Sequence, residues 1–374
     1  MGSETPKSTD NGSKNDNVDK PAQSVEGDDG NSKNEDNIIA TNEEEKPSTN
    51  KSDAATNDQK NSSSIEALAA SLDAVTLTNT KDNELKNAPQ SIKTIAKLLS
   101  SKKHTKIIVL TGAGVSVNAG IPDFRTPGTG LYDNLQKYNL PFPEAVFDLQ
   151  FYARNPDPFV QLASELWPGL KHSPTITHSF IALLERKGML RRVYTQNIDM
   201  LDVLAGVSEE RMVECHGHFR SASCTVCSNP FDGEECKRII VEEKRAPTCL
   251  KCKGYVKPDI VFFGEDLPNR FYNLIKKDVK YADLLIVMGT SLLVSPVCHI
   301  PEMVRKDCPR VLFNRELVGT FCNEGMKSRR KSYGNKERDM FHKGDCDESV
   351  RLLCRILGWE EELDELNSST SFDS

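Results

Sequence analysis

The sequence predicts an α/β protein: an open parallel sheet flanked by helices, a helical insertion, a smaller four-cysteine module and a disordered N-terminal tail. Three observations predict it. Four apolar runs, at residues 107–110, 190–195, 284–288 and 311–313, alternate with helical patterns, and each ends in small or polar residues. Buried parallel strands look this way where their carboxyl ends meet a ligand crevice. Two C-x2-C pairs, Cys224/Cys227 and Cys249/Cys252, are separated by 21 residues. Composition also shifts along the chain, since no Phe, Trp, Tyr or Cys occurs before Phe124.

A chain of 374 residues suits about two domains. Residues 1–85 carry 18 acidic and 8 basic side chains; they hold −10 of the chain's net −7, leaving residues 86–374 at about +3. Residues 1–60, dominated by Ser, Asn, Asp, Glu, Lys and Thr, cannot bury enough apolar area to offset chain entropy and are expected to be disordered. Such a tail reads as a solvated spacer, and the near-neutral remainder argues against a nucleic-acid-binding face. With no apolar run of about 18 residues and no hydrophobic signal core, the protein is expected to be soluble and unsecreted. Its 11 cysteines then read as thiols or metal ligands.

In residues 65–77, IEALAASLDAVTL, the spacing of Leu68, Leu72, Val75 and Leu77 resembles a leucine-rich nuclear export signal. That stripe suits an export receptor's groove or a helix docked on the protein's own surface. Residues 89–101 predict an amphipathic helix through Ile92, Ile95, Ala96, Leu98 and Leu99. The first strand, 107–110, leads into Thr111-Gly112-Ala113-Gly114 and a predicted helix N-terminus. Glycine permits a sharp turn and close approach, and free N–H groups at a helix start suit a phosphate. A ligand-free strand-to-helix turn is the plainer reading. The dinucleotide fingerprint of a dehydrogenase needs a third glycine at position 117, where Val117 stands.

Tyr132, Tyr138, Phe142, Phe147, Phe151 and Tyr152 crowd a largely irregular stretch that reads as a mobile lid or a set of core anchors. Residues 177–187 predict a helix closed by Gly188. The later strands end in Gln196-Asn197-Ile198-Asp199, Gly289-Thr290-Ser291 and Asn314-Arg315-Glu316. Cys224, Cys227, Cys249 and Cys252 supply four thiolates for a closed, structural Zn²⁺ site. The Lys-, Arg- and Glu-rich segment between the pairs suggests no core of its own, so the metal is expected to supply much of the folding energy. Just upstream, His216 follows a strand-like run and precedes Gly217; His218 is its rival for a base that titrates near neutrality. Residues 327–338, KSRRKSYGNKER, read as a solvated basic loop or a nuclear-import contact.

GAGVSVNAGIPDFR, YTQNID, HGHF, the two C-x2-C pairs, KPDIVFFGE, MGTSLLVSP and NRE occur in the order found in sirtuins, the NAD-dependent protein deacylases. The resemblance spans about residues 90–360. TGLYDNLQKYNLPFPEAVF and LLCRILGWEEELDEL are similar to the sirtuin-2-type branch. The resemblance implies a Rossmann-like fold. Its parts fall at about 86–130, 190–217 and 258–350 of a catalytic domain spanning 86–360. The helical insertion would take about 131–185, the zinc module about 218–257, and a C-terminal tail 361–374.

It also implies roles. Ala113, Gly114, Val115, Ser116 and Val117 would surround the NAD pyrophosphate, with Asp123, Phe124, Arg125 and Tyr132 on a loop closing over the cofactor. Gln196, Asn197, Ile198 and Asp199 would line the ribose and nicotinamide pocket. Gly289, Thr290 and Ser291 would hold phosphate and ribose, Asn314, Arg315 and Glu316 the adenosine, and Cys346 the adenine edge. Residues 257–265 would pair with an extended substrate peptide, and Phe124, Phe147, Ile198, Val261, Phe262, Gly264 and Glu265 would meet the acyl-lysine. His216, with Asn197 and Asp199, would be catalytic. The implied reaction consumes NAD and water and transfers the acyl group of a modified lysine to the ADP-ribose part of NAD, releasing lysine, nicotinamide and 2′-O-acyl-ADP-ribose. Acylated proteins such as histone tails and tubulin-like proteins are the implied partners, in cytoplasm with nuclear passage and without nucleic-acid or membrane contact. Mono-ADP-ribosyl transfer and a non-catalytic zinc-ribbon module are the alternatives. Two departures flank His216: Cys215 replaces an alanine and His218 a small residue, which bears on oxidant reactivity and substrate preference. The first cysteine pair has x2 spacing where x4 is common.

Overall fold

The computed structural model describes residues 86–101, 103–124, 126, 128, 130–135, 140–322 and 338–370, with only the backbones of Tyr132 and Asn134. The tail, the leucine pattern at 65–77, Arg125, Tyr138 and residues 323–337 lie outside the described residues. In chain order the strands are β1 Ile107–Thr111, β2 Leu190–Thr195, β3 Met212–Glu214, β4 Gly217–Cys224, β5 Pro230–Phe231, β6 Val256–Ile260, β7 Leu284–Met288, β8 Arg310–Asn314 and β9 Asp339–Lys343. The helices are α1 Gln90–Ser100, α2 Leu131–Asn134, α3 Leu149–Arg154, α4 Asp157–Leu166, α5 Ile176–Arg186, α6 Leu201–Leu204, α7 Gly233–Val241, α8 Asn269–Tyr281, α9 Ile300–Met303, α10 Cys346–Leu357 and α11 Glu360–Thr370.

Six strands form a parallel sheet in the order β3-β2-β1-β7-β8-β9. The chain runs outward from β1 through β2 and β3, then resumes beside β1 with β7, so its direction of winding reverses between β1 and β7. In open α/β sheets ligands bind outside the strand carboxyl ends at that reversal. Register brings those ends level: Thr111 pairs with both Thr195 and Met288, Thr195 with Glu214, and Met288 with Phe313.

Every residue of β1 and β7 is buried. Alternate side chains enter two cores, as the two-residue period of a strand requires. Ile107 and Val109 join the core under α1, α5, α10 and α11, while Ile108 and Leu110 join the one under α8 and α9. Gly188, with φ +67°, follows the cap Lys187 of α5, a left-handed position that glycine fills without strain.

Four expectations change. The glycine turn after β1 does not open an α-helix; it leads into two single 3₁₀ turns, Ala113–Val115 and Val117–Ala119, ended by Gly120 at φ +84°. Helix α5 packs against the sheet core, so the helical insertion is shorter than 131–185. Residues 361–370 are helical and bury Leu363 and Leu366, because α11 lies against α5 and α10. Strand β9 was not anticipated; its DMFHK sequence buries only His342 and closes the sheet edge.

The insertion and the cysteine module share a third core. Phe147, Tyr152, Phe159, Val160 and Trp167 pack with Phe219, Cys236, Ile240, Val256 and Phe262. The segment between the cysteine pairs thus contributes a core after all, through the buried stripe Cys236, Ile239 and Ile240 of α7. Its aromatics meet edge to face, with Phe159 and Phe262 centroids 4.9 Å apart and Tyr152 and Phe262 5.6 Å apart. Phe147 and Tyr152 are therefore core anchors, whereas Phe142 is exposed.

Candidate active site

A cavity of about 820 Å³ opens over the carboxyl ends of β1, β2, β7 and β8. Its floor is two touching turns. A Cβ on Gly112 would lie 2.7 Å from the Thr290 Cβ, one on Gly114 2.8 Å from the Gly289 Cα, and one on Gly289 2.5 Å from the Val115 nitrogen. These glycines are required by the neighbouring turn, and the backbone they leave bare faces the cavity.

Polar side chains tie the floor together. Gln196 Nε2 donates to Thr290 Oγ1 at 2.8 Å and to the Thr111 carbonyl at 3.2 Å. Asn197 Nδ2 donates to the Gly112 carbonyl and to Ser116 Oγ, each at 3.1 Å. Ser116 Oγ in turn donates to Asp199 Oδ2 at 2.6 Å, and Asp199 Oδ1 accepts the Leu201 N–H at the start of α6. Asn314 Nδ2 donates to the Glu316 carbonyl at 2.8 Å.

His216 follows β3 at the cavity's edge. Its Nδ1 lies 2.8 Å from the Gln196 carbonyl, which can only accept, so Nδ1 carries the proton. Nε2 is left as a buried lone pair with no partner among the described residues. Burial holds the imidazole below its ordinary value of 6.5, against the opposing pull of the Gln196 carbonyl. A neutral, oriented imidazole is what a general base requires. Gly217, at φ +76°, makes the turn possible; a Cβ there would lie 2.0 Å from the Asp259 carbonyl. His218 does not line the cavity, although its Nδ1 is buried without a partner among the described residues. Cys215 is fully buried and burial pushes its thiol well up, so the expected oxidant sensitivity beside His216 does not follow.

Of the residues expected here, Ala113, Gly114, Val117, Asp123, Phe124, Phe147, Gln196, Asn197, Ile198, Val261, Phe262, Gly264, Glu265, Gly289, Thr290, Ser291, Asn314, Arg315, Glu316 and Cys346 line the cavity with His216. Val115 does not, being 1% exposed in the sheet core. Ser116 and Asp199 lie beneath the lining, bonded to each other. Burial pushes the Cys346 thiol up to about 12. Phe263, within the expected peptide-pairing stretch 257–265, lines it too, while Tyr272, Leu293, Pro296, Val318 and Asp345 also line the cavity and were not anticipated. Asp345 alone carried a local signal, since it caps α10 by accepting the N–H groups of Asp347 and Glu348.

The four cysteines converge at the far end of the module. Their sulfurs all lie within 4.8 Å of one another, with Cys224 to Cys252 at 3.4 Å and Cys227 to Cys249 at 3.8 Å. Thiolates about 2.3 Å from a tetrahedral Zn²⁺ would have edges of this size. The Val226 N–H donates to Cys224 Sγ at 3.4 Å, and the Cys252 N–H lowers the Cys249 thiol, both bonds favouring a thiolate. The donor set fits one structural zinc with no open position.

Residues 112–296 match the model of the Sir2 family. The chain is 46% identical over 286 residues to the NAD-dependent protein deacetylase hst2 of Schizosaccharomyces pombe, covering 76% of this chain and 82% of that one. It is 46% identical to the NAD-dependent protein deacetylase sirtuin-3 of Mus musculus, over 73% of this chain and 78% of the other. With the NAD-dependent protein deacetylase sirtuin-2 of Danio rerio it shares 44% identity over 74% of each. The chain belongs to the Sir2 family. The Sir2 match begins after β1 and ends before α9, so α1, β1, α9, β8, β9, α10 and α11 lie outside it. Family and topology agree on the crevice between β1 and β7. A Sir2 cofactor, NAD, fits the bare glycine backbone and polar strand ends of its floor.

Proposed function

We propose that the chain removes acyl groups from protein lysines at the cost of NAD; it is an NAD-dependent deacetylase of the Sir2 family. The observation that carries this reading is His216, whose buried Nε2 lone pair is held toward the cavity by the Nδ1 bond to Gln196. When bound, NAD would supply an anomeric carbon open to attack by the acyl oxygen, with nicotinamide as the leaving group. The chain's residues do the rest. Gly112, Ala113 and Gly114 present backbone to the pyrophosphate; Thr290, Ser291, Asn314, Arg315 and Glu316 serve the ribose and adenosine; and Cys346 closes the adenine end. Asn197 lines the nicotinamide side, while Ser116 and Asp199 brace it from below. His216 Nε2 takes a ribose hydroxyl proton, and Phe124, Phe147, Ile198, Val261 and Phe262 exclude water from the neutral acyl-lysine. The zinc holds the module and takes no step.

An extended peptide suits the site because β6 is an edge strand of its sheet, with β4 on one side only. Acetylated histone tails and tubulin-like cytoplasmic proteins are the substrates we propose. The likeness to sirtuin-2 supports a cytoplasmic location, with residues 65–77 as an export signal. Among the described residues no helix is long and apolar enough to cross a membrane. Incubation with an acetyl-lysine peptide and NAD should yield nicotinamide, free lysine peptide and acetyl-ADP-ribose by mass spectrometry, and His216→Tyr should lower the rate of formation of all three by about a hundredfold or more. ADP-ribose attached to protein, without deacetylated peptide, would overturn the reading.

A further inference from the structure

Lys257 is a charged side chain that nothing in the proposed reaction uses. It sits in β6 and is 6% exposed. Burying an ammonium is costly unless it is paired and hydrogen-bonded, and here it is both. Lys257 Nζ donates to the Ile260 carbonyl at 2.7 Å, forms an ion pair with Glu265 Oε2 at 3.0 Å and lies 4.8 Å from the Phe262 ring centroid. The same Glu265 oxygen accepts the Phe262 N–H at 2.7 Å, and the Glu265 N–H donates to the Phe262 carbonyl at 3.0 Å. The ion pair therefore closes residues 257–265 on themselves.

What it closes is one wall of the cavity. Val261, Phe262, Phe263, Gly264 and Glu265 all line it. Two further bonds pin that wall from outside: the Val261 N–H donates to the His216 carbonyl at 2.8 Å, and the Phe263 N–H to the Phe147 carbonyl at 2.7 Å. No contact of this set reaches the turns after β1, β7 or β8.

We propose that Lys257 is a positioning residue for the acyl-lysine peptide: paired with Glu265, it holds residues 260–265 in register with His216. The Glu265 carboxylate then serves the loop through Oε2, and its expected role as a peptide contact is secondary. This rests on the deacetylase reading above. Because the latch touches the peptide wall and not the NAD floor, it separates the two substrates kinetically.

The test uses the full chain with zinc bound, varying acetyl-lysine peptide and NAD independently. Lys257→Met should raise KM for the peptide about tenfold while KM for NAD stays within about twofold. Glu265→Gln keeps the side chain's shape and its bond to Phe262 but removes the charge, and should shift the peptide KM the same way by a smaller factor. In both variants the amides of 260–265 should exchange faster with solvent while those of β1 and β7 do not change. An unchanged peptide KM in Glu265→Gln overturns the proposal, even where Lys257→Met fails to fold. Equal rises in both KM values overturn it too, since that pattern marks a general loss of structure. A wild-type chain with no deacetylase activity overturns the reaction instead, and the exchange measurement then reads the latch by itself.

Discussion

The parallel sheet and the cysteine-containing region both bury apolar side chains, but with different resources. The sheet has a core on each face, and β1 and β7 are buried along their whole length. The cysteine region has one core, shared with the insertion, over a three-stranded sheet whose β5 is two residues long. Its surface ion pairs, Arg238 with Glu235 and Glu243, and Arg245 with Glu243, are exposed and add little. Val226 and Leu250 stand out on the cysteine knuckles, 70% and 85% exposed. With one core against two, the smaller region is the one expected to lean on its four-thiolate site. The cavity is lined from both, its floor by the sheet's turns and its peptide wall by residues 260–265.

Zinc removal should break the comparison most severely. A structural zinc contributes on the order of 10–16 kcal/mol to a small module. Chelation, or Cys249→Ser, should abolish turnover and strip amide protection from β4–β6 and α7. Protection in β1, β2 and β7 should persist in hydrogen-exchange measurements. Uniform loss across both regions would show that they fold as one unit.

At the cavity itself, His216→Tyr should lower kcat/KM by about 10²–10⁴, the usual worth of a general base. Zinc content and thermal midpoint should stay near wild type, which separates chemistry from folding. Gly114→Ala addresses the floor alone. Its Cβ would press on the Gly289 backbone at 2.8 Å, an overpacking of about 1–3 kcal/mol. KM for NAD should rise about tenfold, with peptide KM less affected. The smallest effect is in pH. In the role proposed for His216 the neutral imidazole is the active form, and burial holds its value in the folded chain below 6.5. Hence kcat/KM should hold as pH falls through 6.5 and decline only below it; an acid limb centred above 6.5 would contradict the assignment. The sign carries to stability: the unfolded chain takes up this proton near 6.5 and the folded chain only at lower pH, so His216 makes the fold less stable as pH drops past 6.5.

The four central strands were legible because near-continuous apolar runs have few other homes, and their polar ends marked the crevice. Strand β9 was not, since an edge strand with Asp339, His342 and Lys343 has no such run. The turn after β1 misled for a related reason. Gly112 and Gly114 read as ligand contacts in the sequence, yet the Gly289 turn, 175 positions beyond Gly114, is what first requires them.

By itself the sequence determined the four central strands, the four thiolates and His216 as a candidate base, because each is a matter of residue type at short spacing. Only the tertiary structure set His216 at the cavity and His218 away from it, buried Cys215 out of reach, merged the insertion with the cysteine module, and enclosed Lys257. Those outcomes depend on which backbone carbonyls, rings and carboxylates arrive from distant segments. Register and burial decide that, and no local pattern encodes it.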